Sequence, residues 1–139
     1  MPSSVEPLRE VIDRLRENDP RFRREAYLFV VAALGHAVER LPAERRADPT
    51  RRHLHGSEVV ESAVDLARRE FGPLAGTVFR EWGVAGGRDI GEIVFQLVEA
   101  GQLSATAEDR IEDFLDGPDV MGALLSAPVP PATPRRREA

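Results

Sequence analysis

The chain has 139 residues, of which 42% are apolar, with 19 basic side chains against 24 acidic ones and no cysteine. That length suits one domain with its own hydrophobic core and leaves no room for a second folded unit. The missing cysteine excludes disulfide scaffolds, CxxC redox chemistry, thiolate zinc and iron–sulfur sites, and a cysteine nucleophile.

All 19 basic residues are arginine, so no lysine can serve as a Schiff base, a phosphate-loop cation or an amine nucleophile. Charge is uneven along the chain. Residues 1–56 carry 11 Arg against 9 Asp/Glu, a net +2, while residues 57–126 carry 5 Arg against 14 Asp/Glu, a net −9. Residues 127–139 return to +2, with 3 Arg and 1 Glu. An acidic body repels phosphate, so direct DNA binding by residues 57–126 is not expected. No apolar run approaches the ~20 residues of a membrane span, and the charged start MPSSVEPLREVIDRLREND lacks the apolar stretch of a signal peptide. The expectation is a cytoplasmic protein without membrane contact.

In chain order, Val5, Leu8, Val11, Ile12 and Leu15 recur at helical spacing and predict a short amphipathic helix over 5–17, capped by Ser3 or Ser4. Asp19 followed by Pro20 reads as cap and first-turn proline of a long helix to about Leu41. Phe22, Ala26, Val30, Ala33, Leu34, Ala37, Val38 and Leu41 form its stripe, with Tyr27, Phe29 and Val31 beside it. Because its middle is apolar nearly all round, it is expected to be the central core element. Residues 42–56, PAERRADPTRRHLHG, read as a loop whose end, 51–55, forms a short edge strand.

Ser57 predicts the cap of a helix to Phe71, with Asp65 and Arg69 as an (i, i+4) pair. Gly72 and Pro73 break it, and Leu74, Val78, Phe79 and Trp82 mark a shorter helix that Gly83 ends. Asp89 is the predicted cap of a helix over 89–100, with Ile90, Ile93, Val94, Leu97 and Val98 on one face and Gly91 with Phe95 on a second. Leu103 and Ser104 read as a brief strand, and Thr106 with Asp109 as the capping pair of a helix carrying Ile111, Phe114 and Leu115. A final short helix surrounds residues 120–125. The closing APVPPATPRRREA is too polar and proline-rich to order itself. The expected fold is therefore mainly α: a compact multi-helix domain over 4–125, winged-helix-like with one minor β pairing between 51–55 and 103–104, and a disordered tail over 126–139.

Few residue patterns carry chemistry. His53-Leu-His55 on an extended segment places two imidazoles on one face, and Glu58, Asp48 or His36 are the available third ligands of a metal site. The same pair also reads as a polar lead-in to a helix cap. Glu58, Glu61 and Asp89 are the acidic residues available for acid–base work, but no GxSxG, GxGxxG, phosphate loop, HExxH or EF-hand pattern accompanies them. Trp82 reads either as core or as a half-exposed anchor for a partner. In a winged-helix registration the outward face of 89–100 would meet DNA, yet it holds Asp89, Glu92, Gln96 and Glu99, which oppose that role. Arg135, Arg136 and Arg137 give only weak, salt-sensitive attraction to an acidic surface or RNA.

Five motifs carry a resemblance: DPRF at Asp19 to Phe22, AYLF at Ala26 to Phe29, HLHG at His53 to Gly56, EWG ending at Trp82 and Gly83, and GEIVF ending at Glu92 to Phe95. In these the chain resembles an uncharacterised family of small bacterial proteins, over about residues 8–117. The resemblance implies one domain and brings no activity, cofactor or binding residue with it.

Two functions remain as expectations. One is a non-enzymatic interaction module that docks an unidentified protein or ribonucleoprotein partner through Arg45, Arg46, Arg51 and Arg52 of the 42–56 loop, with Trp82 as a neighbouring anchor; it needs no cofactor. The other is a small metal-dependent or acid–base enzyme centred on His53, His55 and Glu58.

Overall fold

The structure is a computed structural model and describes residues 7–48, 53–103 and 110–126. Its helices are α1 (Leu8–Asn18), α2 (Arg24–Glu39), α3 (Ala43–Ala47), α4 (Gly56–Phe71), α5 (Ala75–Trp82), α6 (Gly87–Glu99) and α7 (Val120–Ser126). Short 3₁₀ turns occupy Gly72–Leu74 and Ile111–Phe114. The protein is mainly α, and no strand occurs among the described residues. No described helix is long and apolar enough to cross a membrane.

Most of the apolar stripes act as expected, but Leu74, in the 3₁₀ turn before α5, and Leu115 are 64% and 53% exposed. Val11 and Ile12 of α1 are fully buried, as are Val60 and Ala63 of α4 and Ile93 and Leu97 of α6. Phe22, Tyr27, Phe29, Phe79, Ile90 and Phe114 form one buried cluster with Ile12, Val60, Ala63, Ile93 and Leu97. The second side of α6 also finds a partner, because the Phe95 ring meets Phe114 edge-on at 5.8 Å between centroids. The most extensive helix–helix contact joins α2 and α4. Phe29 meets Phe71, His36 meets Asp65, and Arg40 meets Ser62, so residue numbers rise on one helix as they fall on the other and the pair runs antiparallel. Ala33, Ala37, Ala63 and Ala67 are all buried, and side chains this short let two axes approach closely.

Element ends depart from expectation where tertiary partners claim the capping groups. Asp19 does not cap α2. Its N–H donates to the Leu15 carbonyl at 2.9 Å and closes α1, while its carboxylate accepts the Arg21 guanidinium. Residues 20–23 form a separate turn in which Arg16 Nε donates to the Phe22 carbonyl at 2.9 Å and Arg23 N–H donates to the Trp82 carbonyl at 3.1 Å. α2 therefore opens at Arg24 and stops at Glu39, short of Leu41.

The 42–56 segment is no pure loop, since α3 lies within it. His55, and not Ser57, precedes α4; its N–H donates to Glu58 Oε1 at 2.9 Å. Gly86, and not Asp89, precedes α6, and Asp89 accepts the Ala85 N–H at 2.7 Å.

The β pairing fails for a physical reason. The His53 carbonyl accepts Arg45 and the His55 N–H donates to Glu58, so these two groups are turned to α3 and α4 and not to a neighbouring strand. Leu103 sits in a bend against the core, and Arg51, Arg52 and Ser104 lie outside the described residues, as do Ser3, Ser4, Thr106, Asp109 and 127–139. Among the described residues there is no strand to form the wing of the winged-helix variant. Ile111, Phe114 and Leu115 belong to a 3₁₀ turn and its end, not to an α-helix, and the last helix reaches Ser126.

α2 fills its expected role only in part. One face is buried, but Leu28 is 45% exposed and Ala32 and Gly35 face solvent as well. It packs on α1, α4, α5 and α6, so it is central to the core on one face while an apolar side is left open.

Candidate functional site

The arginine-rich segment folds into the corner between the end of α2, α3 and the start of α4. Pro42 precedes α3, and the Arg46 N–H donates back to its carbonyl at 2.9 Å. Arg45 then points inward. Its guanidinium donates to Glu58 Oε2 at 2.8 Å and to the His53 carbonyl at 2.9 Å. Burial pushes the Glu58 carboxyl up, but hydrogen bonds from Arg45 and from the His55 N–H outweigh it and hold the group below its ordinary range. Arg45 is correspondingly harder to deprotonate, chiefly through its hydrogen bond to Glu58. It is thus a structural tie between α3, the approach to α4 and α4 itself.

Arg46 and Arg40 behave differently. Arg46 Nη1 donates to the Glu39 carbonyl at 3.0 Å and Arg40 Nη1 to Ser62 Oγ at 3.2 Å. Both side chains are oriented by neutral acceptors and both residues are exposed. Arg40, but not Arg46, borders a shallow concavity of about 110 Å³ lined also by Ala37, Leu41, Pro42, Glu58, Glu61 and Ser62. Arg40 carries no motif, and only the antiparallel register of α2 and α4 reveals its place. Ser62, buried at 3% exposure, is the acceptor that fixes it.

The two imidazoles lie side by side, with ring centroids 6.2 Å apart. Glu58, the proposed third ligand, already binds Arg45, and neither histidine lines the concavity. Among the described residues no three His, Asp or Glu side chains stand close enough to hold a metal ion. His36 lies elsewhere, with Nε2 2.8 Å from Asp65 Oδ2. Asp65 also pairs with Arg69 at 2.8 Å, as the spacing predicted. Burial raises its pKa, but His36, Arg69 and Arg40 together hold it below the usual carboxylate range.

Trp82 is half-buried and belongs to an aromatic cluster. Its ring lies 5.4 Å from Phe29, 5.7 Å from Phe71 and 5.9 Å from Phe79, centroid to centroid. It covers the seam where α2, α4 and α5 converge.

The supposed outward face of α6 is largely occupied. Gln96 accepts the Tyr27 hydroxyl at 2.6 Å and donates to Asp19 at 3.3 Å. Arg21 Nη1 lies 2.7 Å from the buried Oε1 of Glu92, a charge contact without hydrogen-bond alignment, and Arg88 approaches the other oxygen at 3.4 Å. With Asp89 turned to Ala85, only Glu99 of the four is exposed.

The motif residues therefore hold one another. The DPRF turn docks on α6 through Asp19 and Arg21 and on the end of α5 through Arg23. Gly83 adopts φ 87°, and a Cβ there would run into the Arg21 carbonyl. A Cβ at Gly91 would lie 2.8 Å from the Phe114 ring, and one at Gly56 2.7 Å from the Asp113 backbone. These glycines lie where segments of the chain cross closely. Compared with models of known families, with curated proteins and with solved structures, the chain gives no match.

Proposed function

We propose that this protein is a cytoplasmic, non-enzymatic interaction module that takes an acidic protein segment on the corner formed by the end of α2, α3 and the start of α4. The observation behind this reading is the pair Arg40 and Arg46, exposed at one corner, each guanidinium hydrogen-bonded to a neutral acceptor, a hydroxyl and a carbonyl, with Asp65 near Arg40 only as a charge. A guanidinium so held keeps its charge and its remaining N–H donors for a partner. In sequence, Arg51 and Arg52 adjoin the same segment. A short acidic segment fits better than nucleic acid, because it can meet the two arginines alone, whereas a long phosphate backbone would also run along residues 57–126, whose net −9 repels it. Arg45 is withdrawn from the binding set, since Glu58 uses it. Trp82, packed among three phenylalanines, serves the fold more than the contact. A cysteine-free chain suits the reducing cytoplasm.

The test is quantitative co-purification from native cells at two salt concentrations, with wild type and an R40Q/R46Q/R51Q/R52Q variant. The leading partner should be lost from the variant and should weaken at the higher salt, with nuclease treatment leaving wild-type capture intact. Equal capture by both proteins overturns the reading; loss of the partner on nuclease treatment moves it to a ribonucleoprotein.

A further inference from the structure

α2 poses a problem that the isolated chain does not resolve. Leu28, Ala32 and Gly35 are exposed on one side of it, flanked by the partly buried Val31 and Val38. Gly35 is the anomaly. Its φ is not positive, and a Cβ there would meet nothing within 4 Å, so nothing in the single chain uses its missing side chain. A mid-helix glycine weakens a helix relative to alanine, and here that cost has no return within one copy.

We infer that this face packs against the same face of a second copy, with the two α2 helices antiparallel about a two-fold axis passing between Val31 and Ala32. That axis fixes a single register. It sets Leu28 over Gly35 of the partner subunit, where the absent side chain leaves a hole for the leucine. The same register puts Val31 against Ala32 of the partner subunit and Arg24 beside Glu39 of the partner subunit. Both end residues are exposed, and Glu39 makes no side-chain ion pair among the described residues, whereas Arg24 carries an open pair with Asp13 at 2.9 Å. One symmetry operation thus matches hole to knob and cation to anion, the condition a closed isologous dimer must meet. Antiparallel macrodipoles add to the match. The inference does not depend on the acidic-peptide reading, whose arginines lie beyond the end of α2.

Sedimentation of the full chain over a range of concentrations tests it. Wild type should show a reversible monomer–dimer equilibrium, and L28E, altered at a 45% exposed position, should keep its helical circular dichroism while weakening dimerisation at least about tenfold. R24E and E39R should each be monomeric, since each places like charges together, and mixing the two should restore a dimer because every contact at the helix ends is again opposite in sign. A wild-type protein monomeric at all concentrations, a dimer indifferent to L28E, or a failure of the mixture to recover overturns the proposal. Capture of a different protein on this face by a monomeric wild type overturns it too, and assigns the face to that partner.

Discussion

Tyr27 is completely buried, yet its hydroxyl has one well-placed acceptor, Gln96 Oε1 at 2.6 Å. Burial pushes the phenol's pKa up, and the bond to Gln96 satisfies a group that would otherwise be stranded. Tyr27→Phe should therefore cost about 0.5–1.5 kcal/mol, read as a lower urea midpoint at unchanged slope. Tyr27 was readable as lying beside the α2 stripe, but its partner was not, because Gln96 looked like an outward residue of another helix. Gly83 was fully legible: a glycine after a tryptophan-ended helix marks a left-handed terminus, and φ 87° is what stands there. Asp19 was not. A carboxylate before a proline has the same local sequence whether it caps the next helix or closes the last one, and its hydrogen bonds to Arg21 and Gln96 decided the matter.

At the scale of elements, carboxylates link segments that are distant in sequence. Asp65 joins α4 to α2 through His36, Glu58 joins α4 to α3 through Arg45, and Asp19 binds the α1–α2 turn to α6. Arg21 is the main cause that lowers the Asp19 pKa; for Glu58 and Asp65, donors outweigh a burial effect of opposite sign. All three groups are thus more acidic folded than unfolded. Below the ordinary carboxylate range the unfolded chain binds more protons, so stability rises with pH there. The contribution is complete above about pH 4–5 and is lost as acid carries the pH down through the lowered folded values. Thermal midpoints should fall below that range, and D65N should flatten the acid limb while leaving the neutral midpoint lower than wild type. An acid limb as steep in D65N as in wild type contradicts the assignment. Apolar periodicity located the helices themselves because side chains one turn apart share a face whatever lies opposite. The helix starts were less legible: backbone N–H groups were taken by Glu58, Asp89 and the Trp82 carbonyl, and not by the nearest capping side chain.

For the molecule as a whole, the arginines divide into ties and free cations. Arg45 secures the approach to α4 by bonding Glu58 and the His53 carbonyl together, so Arg45→Gln should lower the thermal midpoint. Arg46→Gln should stay within about 0.5 kcal/mol of wild type, because its single bond to the Glu39 carbonyl is exposed. Equal destabilisation by the two would erase the distinction on which the proposed partner corner rests. Both residues looked alike in the sequence, a pair of neighbours in a basic run.

The amino-acid sequence by itself determined the helical class, the apolar stripes, the glycine that ends α5 and the absence of cysteine and lysine chemistry. Those properties follow from residue type and from backbone periodicity, which act over a few residues. Tertiary structure alone decided that Arg45 is consumed and Arg40 displayed, that α6 offers no open acidic face, and that α2 keeps one apolar side uncovered. Each of these depends on which surfaces meet, across separations such as the 69 residues between Tyr27 and Gln96, and local patterning holds no information about that.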